Sequence, residues 1–276
     1  MKANSGPRYR EFLVSPALRG LAIAGCDIQA LSFDANIRVL PDACDYLLYQ
    51  EKRGLCVLSG RRENHEEAVL AAGGRVSGYK LRPGAMATIL GVDARDVAGQ
   101  GLIPLQEFIF PMNPRRKQIF QTYAARFETR ENQGRSYEDL LAALTMGLAR
   151  EADRLDSRAK LELLGDLQSR FATHPEATLG ALAKQNGMSL RTLERRVREA
   201  CGLSPARFRS IVRFFAAYRM MNLASAENLT AVAHGSGYSD QAHFIRDFRR
   251  FAGLRPRDAK RHPERYGLNP APARVC

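Results

Sequence analysis

The chain is 276 residues long, 45% apolar and 26% charged, enough for two domains with separate cores and too apolar for wholesale disorder. Its net charge of +13 is uneven: residues 171–276 carry 18 Lys and Arg against 8 Asp and Glu, and residues 1–170 carry 24 against 21. A basic segment beside a near-neutral one points to a polyanion-binding module joined to something else. The opening MKANSGPRYREF lacks the apolar core of a signal peptide, and no uninterrupted apolar run approaches about 18 residues, so a cytoplasmic protein without membrane contact is expected. Cys26, Cys44, Cys56, Cys201 and Cys276 are scattered without a C-x-x-C pair. That supports neither a disulfide framework nor a zinc site, and no metal or cofactor is expected.

Residues 1–112 alternate short extended runs with Gly, Pro and Asp. DIQALSFDANIRVLPDACDYLLYQ contains a turn at Pro41 and Asp42, then an apolar segment from Tyr46 to Tyr49. GRVSGYKLRPGAMATILGV predicts a strand to Leu81, a turn at Arg82, Pro83 and Gly84, and a short helix ending near Gly91. Neither G-x-x-x-x-G-K-[ST] nor G-x-G-x-x-G occurs here, so the glycines read as turn residues rather than a phosphate loop. A small mixed α/β, barrel-like domain is expected.

From Arg115 the pattern becomes helical. RRKQIFQTYAARFETREN places Ile119, Phe120, Tyr123 and Phe127 near one face, and YEDLLAALTMGLAREADRL carries Leu140, Leu141, Leu144 and Leu148. SRAKLELLGDLQSRF adds a third helix. Residues 113–170 thus read as a helical linker, either packing on its own domain or pairing two copies as a homodimer. No long heptad pattern decides between these.

The stretches LGALAKQNGMSLRTLERRVREACGLSP and LTAVAHGSGYSDQAHFIRDFRRFAGLRP are two copies of one unit. Leu179, Leu182, Ala183, Gly187 and Ser189 match Leu229, Val232, Ala233, Gly237 and Ser239, each fifty residues later. After one inserted residue, Leu193, Arg195, Val197, Gly202, Leu203 and Pro205 match Phe244, Arg246, Phe248, Gly253, Leu254 and Pro256. Thr178 and Thr230 are expected to cap a short first helix, and Ser189 and Ser239 a second, with Gly187 and Gly237 at the turn. That is a helix-turn-helix, present twice. SPARFRSIVRFFAAYRMMNLAS between them reads as one continuous helix with Phe208, Ile211, Val212, Phe215 and Met220 apolar.

In the second helix of the first copy, Leu193 and Val197 point inward while Arg191, Glu194, Arg195 and Arg198 share the outer face. In the second copy Phe244, Phe248 and Phe251 form the buried stripe. Gln241, Ala242, Ile245, Arg246 and Arg249 face outward, flanked by His243 and Arg250. Such a helix fits the major groove of B-DNA, where arginine contacts guanine, Glu194 accepts from cytosine and Gln241 pairs with adenine. Arg198, Arg249 and Arg250, further from the helix starts, suit phosphate contacts. The joining helix, about 28 Å long at about 1.5 Å per residue, holds both heads on one side of a duplex whose turn is about 34 Å.

These residues resemble the AraC/XylS-type family of bacterial transcriptional regulators. GMSLRTLERRVREACGLSPARF and GYSDQAHFIRDFRRFAGLRPRD, joined by VRFFAAYRMM, are similar to that family's two helix-turn-helix units and linking helix. The resemblance implies an all-α DNA-binding domain over residues 171–265, followed by a tail at 266–276. It implies base reading by Arg191, Glu194, Arg195, Gln241, Ala242, His243 and Arg246. It also implies double-stranded promoter DNA and RNA polymerase as partners, with activation as the sign of control. Arg255 departs from the common serine before the last proline, and Ala259 stands where an aromatic often packs, implying a looser end. RVLPDACDYLLYQ and YKLRPGAMATILGVDARDV resemble the N-terminal, sensor-type domain of one group of such regulators, whose pattern has glycine where Ala43 stands. That likeness makes Asp42, Cys44, Asp45 and Arg82 candidates for the pocket of a small-molecule effector. The alternatives are a DNA-repair enzyme with an alkyl-accepting cysteine fused to such a module, or a non-specific architectural DNA binder. Cys26, Cys44 and Cys56 supply no convincing zinc set for the first, no nucleophile motif stands out, and the varied outer faces argue against the second.

Overall fold

The computed structural model describes residues 7–53, 55–90, 92–99, 101–104, 155–223 and 228–261, with 114, 118, 121 and 122. The expected helices over Ile119–Phe127 and Leu140–Leu148 lie almost wholly outside the described residues, as does Cys276.

The N-terminal part is strand-rich. β1 (Arg8–Phe12), β2 (Ala22–Gln29), β4 (Asp45–Gln50), β5 (Leu55–Ser59), β7 (Arg75–Leu81) and β8 (Leu102–Pro104) form an antiparallel sheet in the order β1-β2-β7-β4-β5-β8. β3 (Ala35–Val39) and β6 (Glu66–Leu70) pair as a separate antiparallel ribbon. Two short α-helices, α1 (Ala85–Leu90) and α2 (Ala94–Val97), follow β7. α1 follows the Arg82–Gly84 turn as the sequence predicts. One face of the large sheet packs against α1 and α2 through Leu47, Leu58, Leu81, Met86 and Leu90. The other face and the β3–β6 ribbon enclose a cavity of about 450 Å³.

Ala43, fully buried, takes φ 64°, the left-handed conformation that glycine adopts at little cost. This is the position where the resembled pattern has glycine. The turn is held because Asp42 accepts a hydrogen bond from the Cys44 N–H at 3.1 Å.

Among the described residues the C-terminal part is all helical: α3 (Leu155–Thr173), α4 (Leu179–Gln185), α5 (Leu190–Cys201), α6 (Pro205–Leu223), α7 (Leu229–Gly235), α8 (Gln241–Ala252) and α9 (Pro256–Arg261). Its core collects Phe171, Phe208, Phe214, Phe244, Phe248 and Phe251, and Leu40 and Ala43 of the N-terminal domain join it. α3, expected as the third linker helix, buries Leu161 in the N-terminal core and Leu164, Leu167 and Phe171 in the helical one. It stitches the two domains together.

α6 is continuous over 19 residues, as expected, but its buried stripe differs from the sequence reading. Phe214, Ala217 and Met221 are buried, whereas Met220 is 39% exposed and Phe215 only half-buried. α6 packs against helices on more than one side, so its apolar positions do not form a single stripe. Ala259 is 4% exposed and part of the core, so its small side chain does not leave that end of the domain open.

Candidate nucleic-acid interface

Each copy of the repeated unit is built by local hydrogen bonding. In the first, the Thr178 hydroxyl accepts from Ala181 N at 3.1 Å and starts α4, and the Ser189 hydroxyl accepts from Thr192 N at 3.1 Å and starts α5. In the second, the caps are two residues and one residue away from the expected ones. Asn228, not Thr230, starts α7, accepting from Thr230 N at 2.9 Å. Asp240, not Ser239, starts α8, accepting from His243 N at 2.7 Å, while Ser239 donates to the Asp240 carboxylate. Asn and Asp are equal or better caps than Ser and Thr, and each sits directly before its helix. The N–H of His243 and the Ser239 hydroxyl hold the Asp240 carboxyl below its ordinary range. Gly187 and Gly237 take φ 64° and 73° at the two turns.

Leu193, Val197 and Cys201 are fully buried on α5, and Phe244, Phe248 and Phe251 on α8. The opposite faces are polar. Arg191, Arg195 and Arg198 are exposed and Glu194 half-buried; Ala242, Arg246, Arg249 and Arg250 are exposed, with Gln241 and Ile245 half-buried. On α5, Arg195 pairs with Glu199 at 2.9 Å and Arg198 approaches Glu194 at 3.8 Å. Such exposed pairs one helical turn apart are worth about 0.3–0.5 kcal/mol and give way readily to a stronger anion. Gln241 accepts from the Thr230 hydroxyl at 3.0 Å, which fixes its amide and leaves the NH₂ group to donate outward.

His243 does not stand with the outward residues. It is half-buried, 3.1 Å from the Ser239 hydroxyl and 3.4 Å from Arg213 Nη2, with its ring edge against Tyr238. Arg213 is the hub there: it donates to Asp247 at 3.0 Å and to the Gly237 carbonyl at 3.4 Å, and lies 4.2 Å over the Tyr238 ring. Arg209 donates to the Pro175 carbonyl at 2.6 Å and Arg207 to Glu63 at 2.7 Å. Three cations of α6 therefore brace protein against protein, so part of the basic excess is structural. Periodicity could not reveal this, because the partners are distant in sequence. Leu190 was also missed. At the first turn of α5 it is 45% exposed, where an apolar side chain suits a thymine methyl. Asp93 and Arg95 of the N-terminal domain border the same groove as Arg191, Glu194 and Arg198.

Residues 182–262 match the family described as a helix-turn-helix domain. The C-terminal domain is an AraC-type helix-turn-helix domain. The chain is similar to the HTH-type transcriptional activator RhaS of Pectobacterium atrosepticum, 34% identical over 98 residues, covering 36% of this chain and 34% of that protein. RhaS of Klebsiella pneumoniae is 36% identical over 113 residues, covering 41% and 39%. The chain thus spans well under half the length of these curated relatives. Among solved structures, ToxT from Vibrio cholerae O395 aligns at a TM-score of 0.41 and 10% identity, covering 95% of this chain and 99% of that one.

The four pocket candidates are all placed elsewhere than the lining of the N-terminal cavity, which draws on Tyr9, Cys26, Ile28, Ile37, Tyr46 and Leu48 with Lys52 and Arg62. Asp42 is 3% exposed and accepts from Tyr46 and Lys80, each at 2.6 Å. Asp45 accepts twice from Arg61 Nη1 at 2.8 Å, both side chains fully buried. Burial pushes the Asp45 carboxyl up and the Arg61 guanidinium opposes that shift. Cys44 is buried beside Gln168 of α3, and burial pushes its thiol up. Arg82 donates to the Arg19 carbonyl at 2.9 Å. Lys80 lies 4.9 Å over the Phe215 ring of α6. These residues occupy the joint between the domains. Among the described residues, no group of His, Cys, Asp and Glu is arranged to hold a metal, and no helix is long and apolar enough to cross a membrane.

Proposed function

We propose that the protein is a sequence-specific transcriptional regulator that inserts α5 and α8 into successive major-groove segments of promoter DNA. The observation that carries this reading is the pair of capped, cationic helices, each anchored by a fully buried apolar stripe and joined by the continuous α6. In this reading Arg191, Glu194 and Arg195, with Gln241, Ala242 and Arg246, contact base edges. Arg198, Arg249 and Arg250 contact phosphates. His243 acts at one remove, steadying the start of α8 through Ser239 and Arg213. One chain carries both heads, so a second copy is not required for binding.

Activation is the sign of control we assign, supported by partial likeness to relatives described as transcriptional activators, and it makes RNA polymerase the protein partner. The cavity in the N-terminal domain is the proposed effector site. Its lining combines apolar side chains with Lys52, Arg53, Arg62 and Arg75 and with Glu66 and Glu67, which suits an apolar small molecule carrying a polar group. Selection of genomic fragments by the purified protein at near-physiological salt tests the reading. Recovery of a motif with two elements about one helical turn apart is the expected result. Recovery without sequence preference would replace it with the architectural one.

A further inference from the structure

The helix-turn-helix copies share one more feature, and it lies on the side away from their turns. Both reading helices end at a glycine cap, Gly202 with φ 70° and Gly253 with φ 71°, at equivalent places in the repeat. The last carbonyls of a helix have no partner within it, so they take donors from elsewhere. At the end of α8 those donors come from the N-terminal domain. His65 N donates to the Phe251 carbonyl at 2.9 Å and Arg38 Nη1 to the Ala252 carbonyl at 2.9 Å. The Arg38 cation also suits the negative end of the helix dipole. The His65 ring packs against Gly253, where any side chain would collide with it.

The end of α5 is held by the same domain. A Cβ on Gly202 would stand 2.8 Å from the Ala94 carbonyl oxygen and 3.1 Å from the Ala98 Cβ, so α2 packs directly onto the bare cap. The two contacts are also joined to each other. Gly99 N, just past α2, donates to the Arg61 carbonyl at 2.8 Å, and His65 follows Arg61 by four residues. The Arg61 side chain donates to the Ala94 carbonyl at 3.3 Å while paired with Asp45. Arg207, at the start of α6, closes the arrangement by donating to Glu63 at 2.7 Å. A single bridge, residues 61–65 bonded to α2, thus spans the C-terminal ends of both reading helices.

We infer that the N-terminal domain sets the spacing and mutual orientation of the two reading helices, with Arg38, His65 and Ala98 as positioning residues for half-site spacing. The inference rests on the DNA-reading assignment of α5 and α8. Adding one base pair between two half-elements moves one by about 3.4 Å and turns it by about 35°. Helices gripped at their C-terminal ends by one bridge cannot follow that change without breaking the grip, whereas helices tied only through α6 have more latitude.

The test uses full-length protein and a duplex carrying the selected site, with one base pair inserted or removed between the half-elements, read by fluorescence anisotropy. Wild-type protein should lose about 10-fold or more in affinity on either change, the scale of a lost base contact. Arg38→Ala and Ala98→Phe, each shown folded by circular dichroism, should cut that penalty to about 3-fold or less while keeping the base preference within each half-element. Arg38→Lys, which keeps a donor for the Ala252 carbonyl, should restore the penalty. Variants with the wild-type spacing penalty would overturn the inference and leave α6 as the spacer. Variants that bind the original site more tightly, with the penalty unchanged, would also overturn it and make the bridge a restraint against binding. Wild-type protein that selects no paired elements at all would remove the DNA-reading assignment itself.

Discussion

Replacing Asp45 by alanine removes the two carboxylate acceptors from a guanidinium that has no access to water. Asp45 and Arg61 are each 0% exposed, and the carboxylate also accepts from Met86 N at 3.3 Å. In Asp45→Ala the Arg61 charge keeps only the Ala94 carbonyl at 3.3 Å, and its Nε is already without a partner. Breaking one side of a buried pair leaves an uncompensated charge, at a cost of about 3–5 kcal/mol. Replacing both sides with apolar residues of similar volume, Asp45→Leu with Arg61→Met, removes the charge along with its partner and should recover all but about 1 kcal/mol of that loss. Urea unfolding of the wild type, Asp45→Leu, Arg61→Met and the double variant, followed by far-ultraviolet circular dichroism and tyrosine fluorescence, gives the four corners of the cycle; the chain has 9 Tyr and 0 Trp. A coupling energy of about 3 kcal/mol is expected, where independent sites add to within about 0.5 kcal/mol. If Asp45→Ala cost under about 1 kcal/mol, or the double variant were no better than the sum of the singles, the pair would not be the coupled buried interaction described above.

Arg195→Ala and Arg246→Ala should each lose about 1–3 kcal/mol of binding and relax preference at one defined base pair, checked by titrating the variants against single-base substitutions of the selected site. Arg249→Ala should instead weaken all sequences alike and lower the slope of log affinity against log salt by about 1, measured between low and physiological salt. Phe248→Ala removes a ring packed 5.4 Å from Phe214 and 5.6 Å from Phe244, and should cost about 3–5 kcal/mol in urea unfolding. His65 is held below its ordinary value first by burial and then by the Arg38 cation, with Glu67 and the Phe251 backbone opposing. The unfolded chain therefore takes up the proton first, so stability is full above the ordinary histidine range and is lost as pH falls through it. Stability measured between about pH 8 and about pH 5 should fall less steeply for His65→Gln than for the wild type.

The C-terminal domain was legible in the sequence because its determinants act over three or four residues. Thr178 and Ser189 cap the helices that follow them, Gly187 and Gly237 make the turns, and Leu193, Val197, Phe244, Phe248 and Phe251 recur at helical spacing. The caps misjudged, Thr230 for Asn228 and Ser239 for Asp240, were off by one or two positions in runs where several capping residues compete. Even Ala43 in its left-handed turn could be anticipated, since the resembled pattern has glycine there.

The sequence by itself determined the duplicated unit, its outward polar faces and the continuity of α6, since turns and periodic burial are local. Only the tertiary structure decided where the long-range partners lie. Asp45 meets Arg61 across 16 residues, Arg207 meets Glu63 across 144, and Arg38 reaches the end of α8 across 214. Nothing in a run of charges says whether an arginine will face a phosphate or a carbonyl of its own chain. That choice is made when the sheet order β1-β2-β7-β4-β5-β8 sets α2 and residues 61–65 against the helical domain, and burial then favours partners for the polar groups enclosed.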